Sequence, residues 1–147
     1  MKAADAPLPP PEKIGHLGLV VKDLEKTMEF LSSIWEIGPW QSFEFTPGAD
    51  DLLAGKPCRL MVGQAPMGTT ILELVEPLSG DNIWADFRDE HGEGLHHIAF
   101  VVKDWEATVA RFEQAGIPMI VGGIADSKHW GYFATTPGGL LAEINEA

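Results

Sequence analysis

EGLHHIAFVVKDWEATVARF, at residues 93–112, is the stretch that decides the fold, because an earlier part of the chain repeats it. Residues 16–31 read HLGLVVKDLEKTMEFL and residues 97–112 read HIAFVVKDWEATVARF, at a constant offset of 81 positions. The histidine that opens each copy and the Val-Val-Lys-Asp that follows it coincide. A repeat of about 80 residues is too long for a solenoid unit, so it predicts two half-domains that close on each other.

Each copy of the repeat begins with a strand and continues into a helix. Apolar runs of strand length are followed by Asp23 in the first copy and by Asp104 in the second, and both aspartates are suitable helix N-caps. In the first helix, a shared apolar face is predicted by the spacing of Leu24, Met28, Leu31 and Trp35. Further strand candidates, separated by Gly- and Pro-rich connections, lie at residues 40–46, 57–63, 69–76, 118–122, 129–135 and 139–146. The pattern predicts two βαβββ modules.

A chain of 147 residues is long enough for one domain with a sizeable core. We expect residues 1–13, which include the run PLPPP, to form a flexible arm, because proline cannot join a helix or sheet interior. The domain then spans residues 14–147, as module one (14–76), a linker (77–94) and module two (95–146). Residues 46–57 are expected to be a long loop, and the linker to contain a short helix near residues 83–90.

The charge and composition exclude several classes of protein. Ten basic against 22 acidic residues give a net charge of −12, which argues against nucleic acid or an anionic membrane as a partner. Cys58 is the only cysteine, so no intrachain disulfide is possible. The first residues lack the apolar segment of a secretion signal, and no apolar run approaches the roughly 20 residues of a membrane span. We therefore expect a cytoplasmic protein.

One histidine stands at the same position in each copy of the repeat. Because successive side chains of a strand point to opposite faces, His16 shares a face with Gly18, and His97 shares a face with Ala99. These small residues leave room beside each imidazole. The larger apolar residues of both strands point the other way, where they can pack against the helices.

The last strand candidate of each module holds one carboxylate inside an apolar run. These carboxylates are Glu73 in TILELVEP and Glu143 in LLAEINE, and a charge there is costly unless it is paired or coordinated. A single strand histidine is usually a core residue, but the duplication of both residue types favours a shared site. Together the four side chains form a cage of two nitrogen and two oxygen ligands: His16, Glu73, His97 and Glu143. Such a cage suits one divalent ion of Co, Ni, Mn, Zn or Fe, with two positions open if the coordination is octahedral.

Several neighbouring residues could have either a role in the site or a structural role. Alternation turns His96 away from the face of His97, so we expect it to be structural, and Glu76 is out of phase with Glu73 and expected to be exposed. His129 and Trp130 begin a strand beside a glycine-rich loop. They are candidates for a substrate pocket, with packing in the core or at the surface as the alternative.

These features resemble the vicinal oxygen chelate superfamily, which includes glyoxalase I, ring-cleaving dioxygenases and methylmalonyl-CoA epimerase. The segments ELVEP (73–77), SGDNIWADF (79–87), GEGLHHIAFVVKD (92–104) and GGLLAEINE (138–146) are most similar to those of the epimerases. With GHLGLVVKDLEK (15–26), the resemblance covers nearly the whole chain after residue 13. It implies an α+β fold of paired βαβββ modules that form a cupped mixed sheet around a metal site.

The resemblance also implies the site and its chemistry. His16, Glu73, His97 and Glu143 would be the metal ligands, and Glu143 and Glu73 would be the catalytic carboxylates. The metal polarises a substrate carbonyl while a carboxylate moves the proton on the neighbouring carbon, as in a metal-dependent epimerase or isomerase. The implied partner is a small carbonyl compound, with an acyl-CoA as one candidate, and we expect a homodimer.

The substrate-binding candidates are Arg59, Trp84, His129 and Trp130. Arg59 lies in a third-strand region with no clear acidic base, and YFATTPGG at residues 132–139 differs from the Phe-x-His-Pro-Lys-like stretch common in epimerases. Three other functions stay open at this point. A glyoxalase-type lyase would use the same four ligands. A ring-cleaving dioxygenase would normally use two histidines and one carboxylate. A ligand-sequestering binding protein often lacks the metal ligands altogether.

Overall fold

The repeated histidine strands become the two central strands of one sheet. The computed structural model describes residues 7–134 and 141–147, and within them the chain forms nine strands and three helices. The strands are β1 (Lys13–Val20), β2 (Gln41–Phe45), β3 (Leu52–Ala54), β4 (Arg59–Met67), β5 (Thr70–Ser79), β6 (Gly94–Val102), β7 (Met119–Ala125), β8 (Lys128–Phe133) and β9 (Ala142–Glu146). The helices are α1 (Leu24–Trp35), α2 (Ile83–His91) and α3 (Trp105–Gln114).

The order of the strands shows the duplication directly. It runs β2-β4-β5-β1-β6-β9-β8-β7-β3, with β1 and β6 antiparallel at the centre. Each central strand pairs in parallel with the last strand of its own module, β1 with β5 and β6 with β9. The outer strands then follow in antiparallel order on both sides. Apart from β3, the two halves match about a pseudo-twofold axis between β1 and β6, which confirms the paired βαβββ fold.

The helices begin where the sequence predicts, but one of them is less buried than expected. The side chains of Asp23 and Asp104 cap α1 and α3 by accepting from the backbone N–H groups of Lys26 and Ala107. In α1, however, Trp35 is 71% exposed and lies outside the apolar cluster beneath the helix. Helical periodicity identified the buried face of α1 correctly in its first turns. It cannot show whether the sheet extends far enough to cover the last turn, where Trp35 lies.

The two faces of the sheet have different roles. On the outer face, Leu19 packs in the cluster beneath α1, and Phe100 packs in the cluster beneath α3, as the alternation predicts. The inner face forms the third apolar cluster, which α2 joins through Trp84, only 2% exposed. Of the three described helices, only α2 therefore lies on the inner face, which leaves space for a cavity. No helix among the described residues is both long and apolar enough to cross a membrane.

Module one contains an additional strand, β3, that was not predicted. The expected loop at residues 46–57 contains a short 3-10 turn (Ala49–Asp51) and then β3, which pairs with β7 at the far edge of module two. A Cβ atom on Gly123 would overlap the backbone oxygen of Asp51, so the glycine permits this close approach. A strand of three residues has too little apolar pattern to be recognised in sequence. It ties the first module to the second.

Two of the sequence expectations fall partly outside the described residues. The N-terminal arm was expected over residues 1–13, of which 1–6 are not described, and residues 7–11 carry no regular structure. The structure does not describe residues 135–139 of the stretch YFATTPGG. It therefore also leaves out the last residue of the predicted strand at 129–135 and the first two residues of the predicted strand at 139–146.

Candidate metal centre

Strand pairing places each histidine of the repeat beside the small residue of the other copy. His16 lies opposite Ala99, and His97 lies opposite Gly18. At Gly18, an added Cβ atom would overlap the His97 ring, so the ring occupies the space that a side chain would fill. The histidine rings can therefore meet, with their centroids 5.2 Å apart.

A β-bulge precedes each of these histidines. The pairing of β1 with β6 skips Gly15 just before His16, and it skips His96 just before His97. Gly15 and His96 are themselves related by the offset of the repeat. Bulges bend a strand and redirect the side chains next to them. Because the two bulges are equivalent, both rings enter the cup at related positions.

The two carboxylates are held by neighbouring amides. Glu73 lies opposite Gln64, whose amide donates to Glu73 Oε2 at 2.8 Å. Asn145 lies two residues after Glu143 on the same face, and its amide nitrogen, turned toward the carboxylate, donates to Glu143 Oε2 at 2.8 Å. Each carboxylate thus has one oxygen fixed by an amide. The other oxygen, Oε1, faces the histidines.

The four predicted ligands converge on one point. His16 Nε2 lies 3.1 Å from His97 Nε2, 2.9 Å from Glu143 Oε1 and 3.4 Å from Glu73 Oε1. His97 Nε2 lies 3.2 Å from Glu143 Oε1 and 3.5 Å from Glu73 Oε1. Ligands about 2.1 Å from a common ion are about 3.0 to 3.4 Å apart, for octahedral and tetrahedral angles respectively. The observed spacing therefore fits one divalent transition-metal ion, and all four residues are buried.

Without a metal, protons hold this cluster together. Burial by itself lowers the pKa of His97, but hydrogen bonds and charge from Glu143 and Glu73 outweigh burial and raise that pKa to about 9. The pKa of His16 is also raised, because Glu143 and Glu73 overcome the effect of burial. Burial would raise the pKa of Glu143, but the two histidines lower it. A proton on His97 thus offsets part of the buried negative charge, and a divalent cation can supply positive charge in its place.

A cavity of about 400 Å³ opens from this cluster. Of the predicted substrate-binding residues, Trp84, His129 and Trp130 line it, but Arg59 does not. On β4 the even-numbered residues face the cup, so Arg59 points outward, where its Nε donates to Glu44 Oε1 at 2.6 Å. The sequence showed an arginine near the site but not the register that turns it away.

His96 lies outside the four-ligand cluster and contacts one of its members. Its Nδ1 is 2.9 Å from His97 Nδ1, and its ring lies against Trp84 and Phe87. Burial lowers its pKa to about 3, so the ring is neutral at physiological pH. This contact on Nδ1 orients the His97 ring and leaves Nε2 to face Glu143 and Glu73.

The other two neighbours also have partners. Glu76, expected to be exposed, is half-buried and accepts from the backbone N–H of Leu24 at 2.8 Å, which satisfies the start of α1. His129 stacks on Trp105 and lies 3.0 Å from Glu146 Oε2, and both His129 and Glu146 line the cavity.

Tyr132 is the main residue of the site that the sequence analysis missed. It is buried, lines the cavity and places its hydroxyl 3.2 Å from His97 Nε2. In the strand register it lies opposite Glu143, as Gln64 lies opposite Glu73. Burial, with the nearby charges of both carboxylates, raises its pKa well above the ordinary value, so it stays protonated. Only the pairing of β8 with β9 reveals the position of Tyr132. Asn145 could have been recognised in the sequence, because it lies two residues after Glu143.

Comparison with known proteins gives one family and several related folds. A family model described as "Glyoxalase/Bleomycin resistance protein/Dioxygenase superfamily" matches residues 15–135. No curated protein matches the chain.

Among solved structures, a hypothetical protein from Bacillus halodurans C-125 is 24% identical, with a TM-score of 0.68 over 92% of this chain and 94% of the other. Methylmalonyl-CoA epimerase from Mycobacterium tuberculosis is 19% identical, with a TM-score of 0.72 over 98% of this chain and 93% of the other. A variant of the Streptomyces coelicolor epimerase in complex with 2-nitronate-propionyl-CoA is 20% identical, with a TM-score of 0.70 over 93% and 95% of the two chains. At these identities the similarity establishes the fold.

Removing one ligand of the cluster should abolish metal binding, whereas removing its neighbour should not. We expect His97→Ala and Glu143→Gln to lose the divalent ion, because each removes a donor atom from a four-ligand site. His96→Ala should keep at least half of the ion and bind it about 10- to 100-fold more weakly, as expected for loss of an orienting partner. Elemental analysis of the purified variants measures this difference. Equal occupancy in the His96 and His97 variants would contradict the assignment.

Metal binding should also release protons. The pKa of His97, raised to about 9, keeps that ring protonated in the metal-free site at pH 7, and a metal binds only the neutral ring. We expect about one to two protons to be released per ion, and affinity to rise between the ordinary histidine pKa of about 6.5 and the His97 value of about 9. Calorimetric titration in two buffers of different ionisation enthalpy measures the release. A constant affinity across this pH range would rule out the protonated cluster.

Proposed function

Because the chain belongs to the Glyoxalase/Bleomycin resistance protein/Dioxygenase superfamily, we propose that it is a metal-dependent epimerase or isomerase that moves a proton on the carbon next to a carbonyl. The observation that carries the proposal is the buried cluster of His16, Glu73, His97 and Glu143 at the inner end of the cavity. A divalent ion bound there would act as a Lewis acid on the carbonyl oxygen and thereby acidify the neighbouring C–H bond.

The carboxylates of the cluster are the proton carriers in this proposal. Gln64 and Asn145 fix one oxygen of Glu73 and Glu143 respectively, so Oε1 of each remains directed at the centre of the site. The other carboxylates lining the described part of the cavity belong to Asp126, which is exposed, and to Glu146, which contacts His129. Glu143 and Glu73 are therefore the best-placed groups to take and return a proton.

Tyr132 has a separate role in the proposal. The buried Tyr132 hydroxyl lies 3.2 Å from His97 Nε2 and also contacts Glu143, so it is directed at the centre of the proposed site. The substrate's carbonyl oxygen is the group that gains negative charge when the neighbouring proton leaves. We assign the hydroxyl as the hydrogen-bond donor to this oxygen.

The same contacts disfavour two of the three alternative functions. A glyoxalase-type lyase would use the same four ligands and a similar proton transfer, so its substrate, a thiol adduct, is what would distinguish it. A ring-cleaving dioxygenase is disfavoured, because Gln64 holds Glu73 in place as a fourth donor. A binding protein without chemistry would have no need for two carboxylates buried beside two histidines, an arrangement that costs stability unless it is neutralised.

The substrate and the assembly stay predictions. Several epimerase structures among the solved neighbours are described in complex with 2-nitronate-propionyl-CoA and one with methylmalonyl-CoA, which makes an acyl-CoA one candidate substrate here. A smaller carbonyl acid is the second. The expected homodimer, the cytoplasmic location and the module boundaries at 14–76, 77–94 and 95–146 are likewise predictions.

Exchange of a substrate proton with solvent deuterium tests the proposed reaction. We expect metal-loaded protein to exchange the proton next to the carbonyl in at least one member of a panel of thioesters, thiol adducts and 2-oxo acids. The metal-free protein and Glu143→Gln should show no exchange above the uncatalysed rate, and mass spectrometry gives the measurement. Failure to exchange any member, or oxygen uptake by the Fe(II)-loaded protein with catechols, would refute the proposal; the second result would indicate a dioxygenase.

Replacing Tyr132 by phenylalanine tests the hydroxyl alone. The ring is retained against Trp84, so we expect unchanged metal content and an unchanged fold. The exchange rate at saturating substrate should fall about 100- to 1,000-fold, as for loss of one oxyanion donor, with a smaller effect on KM. Steady-state exchange kinetics and elemental analysis measure both quantities. A rate within twofold of the parent would show that the hydroxyl does not contact the substrate.

A further inference from the structure

The floor and the walls of the cavity differ sharply in charge. At the floor, the charges of Glu73 and Glu143 would be balanced by a divalent ion, which leaves that end neutral. The remaining charged residues among the described lining are Asp126, Lys128 and Glu146, and Glu146 already lies 3.0 Å from His129. Away from the ligands, the cavity therefore carries no excess of positive charge.

The walls are mainly aromatic and aliphatic. Phe45 meets Trp130 edge to face with centroids 5.3 Å apart, and Trp84 meets Tyr132 in the same way at 5.1 Å. Phe43 also belongs to the aromatic lining and is 42% exposed, so part of its ring is accessible. The volume of about 400 Å³ is at the small end of the range for pockets that bind small molecules.

A coenzyme A thioester is poorly matched to this lining. Its handle carries three phosphate groups, which proteins normally hold with arginine and lysine side chains. Lys128 is the only lysine or arginine that lines the described part of the cavity, and Arg59 is turned outward and paired with Glu44. Residues 135–140, TTPGGL, contain no charged side chain, and the whole chain has a net charge of −12. Long-range charge also opposes an anionic handle.

Resting on the proposed function, we infer that the substrate is a compact carbonyl compound whose non-reacting part is aromatic and uncharged. The carbonyl lies at the His–Glu cluster, and the aromatic group lies against Phe43, Phe45 and Trp130. This assignment follows from the lining and from its charge, and it departs from the acyl-CoA ligands named for the neighbouring folds.

Four thioesters arranged as two matched pairs test the inference. The acyl group is either 3-phenylpropionyl or propionyl, which have α-protons of similar acidity, and the thiol is either coenzyme A or N-acetylcysteamine, which lacks the phosphates. Metal-loaded protein is assayed for deuterium exchange with each, and kcat/KM is divided by the uncatalysed rate. We expect the 3-phenylpropionyl compound to exceed the propionyl compound at least tenfold on N-acetylcysteamine, and coenzyme A to give no improvement.

A matched pair of variants locates the aromatic site. Phe43→Ala should lose most of the tenfold preference, whereas Phe30→Ala, which removes a phenylalanine that is 58% exposed on α1, should keep it. A higher kcat/KM for either acyl group on coenzyme A would overturn the inference and leave the proposed reaction intact. Equal values for the two acyl groups would overturn the aromatic part. Exchange with none of the four thioesters, nor with the thiol adducts and 2-oxo acids, would refute the proposed reaction and the inference with it.

Discussion

Two carboxylates buried at the centre of one sheet are the constraint on which the rest of the structure depends. Glu73 and Glu143 each have a side chain that is 9% exposed, and their Oε1 atoms face the same two imidazoles. Two such charges cannot remain unpaired in a protein interior. The raised pKa of His97 and the lowered pKa of Glu143 indicate how the metal-free chain meets this demand, with a proton on His97. A divalent ion can meet it equally well, and it adds chemistry that protons do not supply.

The duplicated fold brings these groups together, and the small departures from symmetry make the site asymmetric. The central pairing of β1 with β6 gives each half one histidine, one carboxylate and one bulge. At the bulge, Gly15 in the first half corresponds to His96 in the second, which contacts the His97 ring. Opposite the carboxylates, Gln64 corresponds to Tyr132. The first half thus places an amide against its carboxylate, while the second half places the Tyr132 hydroxyl 3.2 Å from His97 Nε2.

The two ends of the cavity above this cluster are lined by different kinds of side chain. The inner end supplies charge, hydrogen bonds and groups that can carry a proton, all fixed by strands that pair on both sides. The outer walls supply apolar contact from β2, β4 and β8 and almost no positive charge. The cluster thus lies on the four central strands of the sheet, whereas most of the apolar lining lies on strands outside them.

The sequence by itself determined the duplication, the βαβββ order and the four residues of the cluster, because a repeated pattern of strand, cap and helix is a local signal. It did not determine the position of Tyr132, the outward direction of Arg59 or the crossing of β3 to the other module. Those three features depend on the pairing register of strands distant in the chain. A shift of one residue in that register moves a side chain to the opposite face. The register is fixed only when distant strands pair in the folded chain and the two faces of the sheet pack with the lowest free energy. A local sequence pattern does not contain that information.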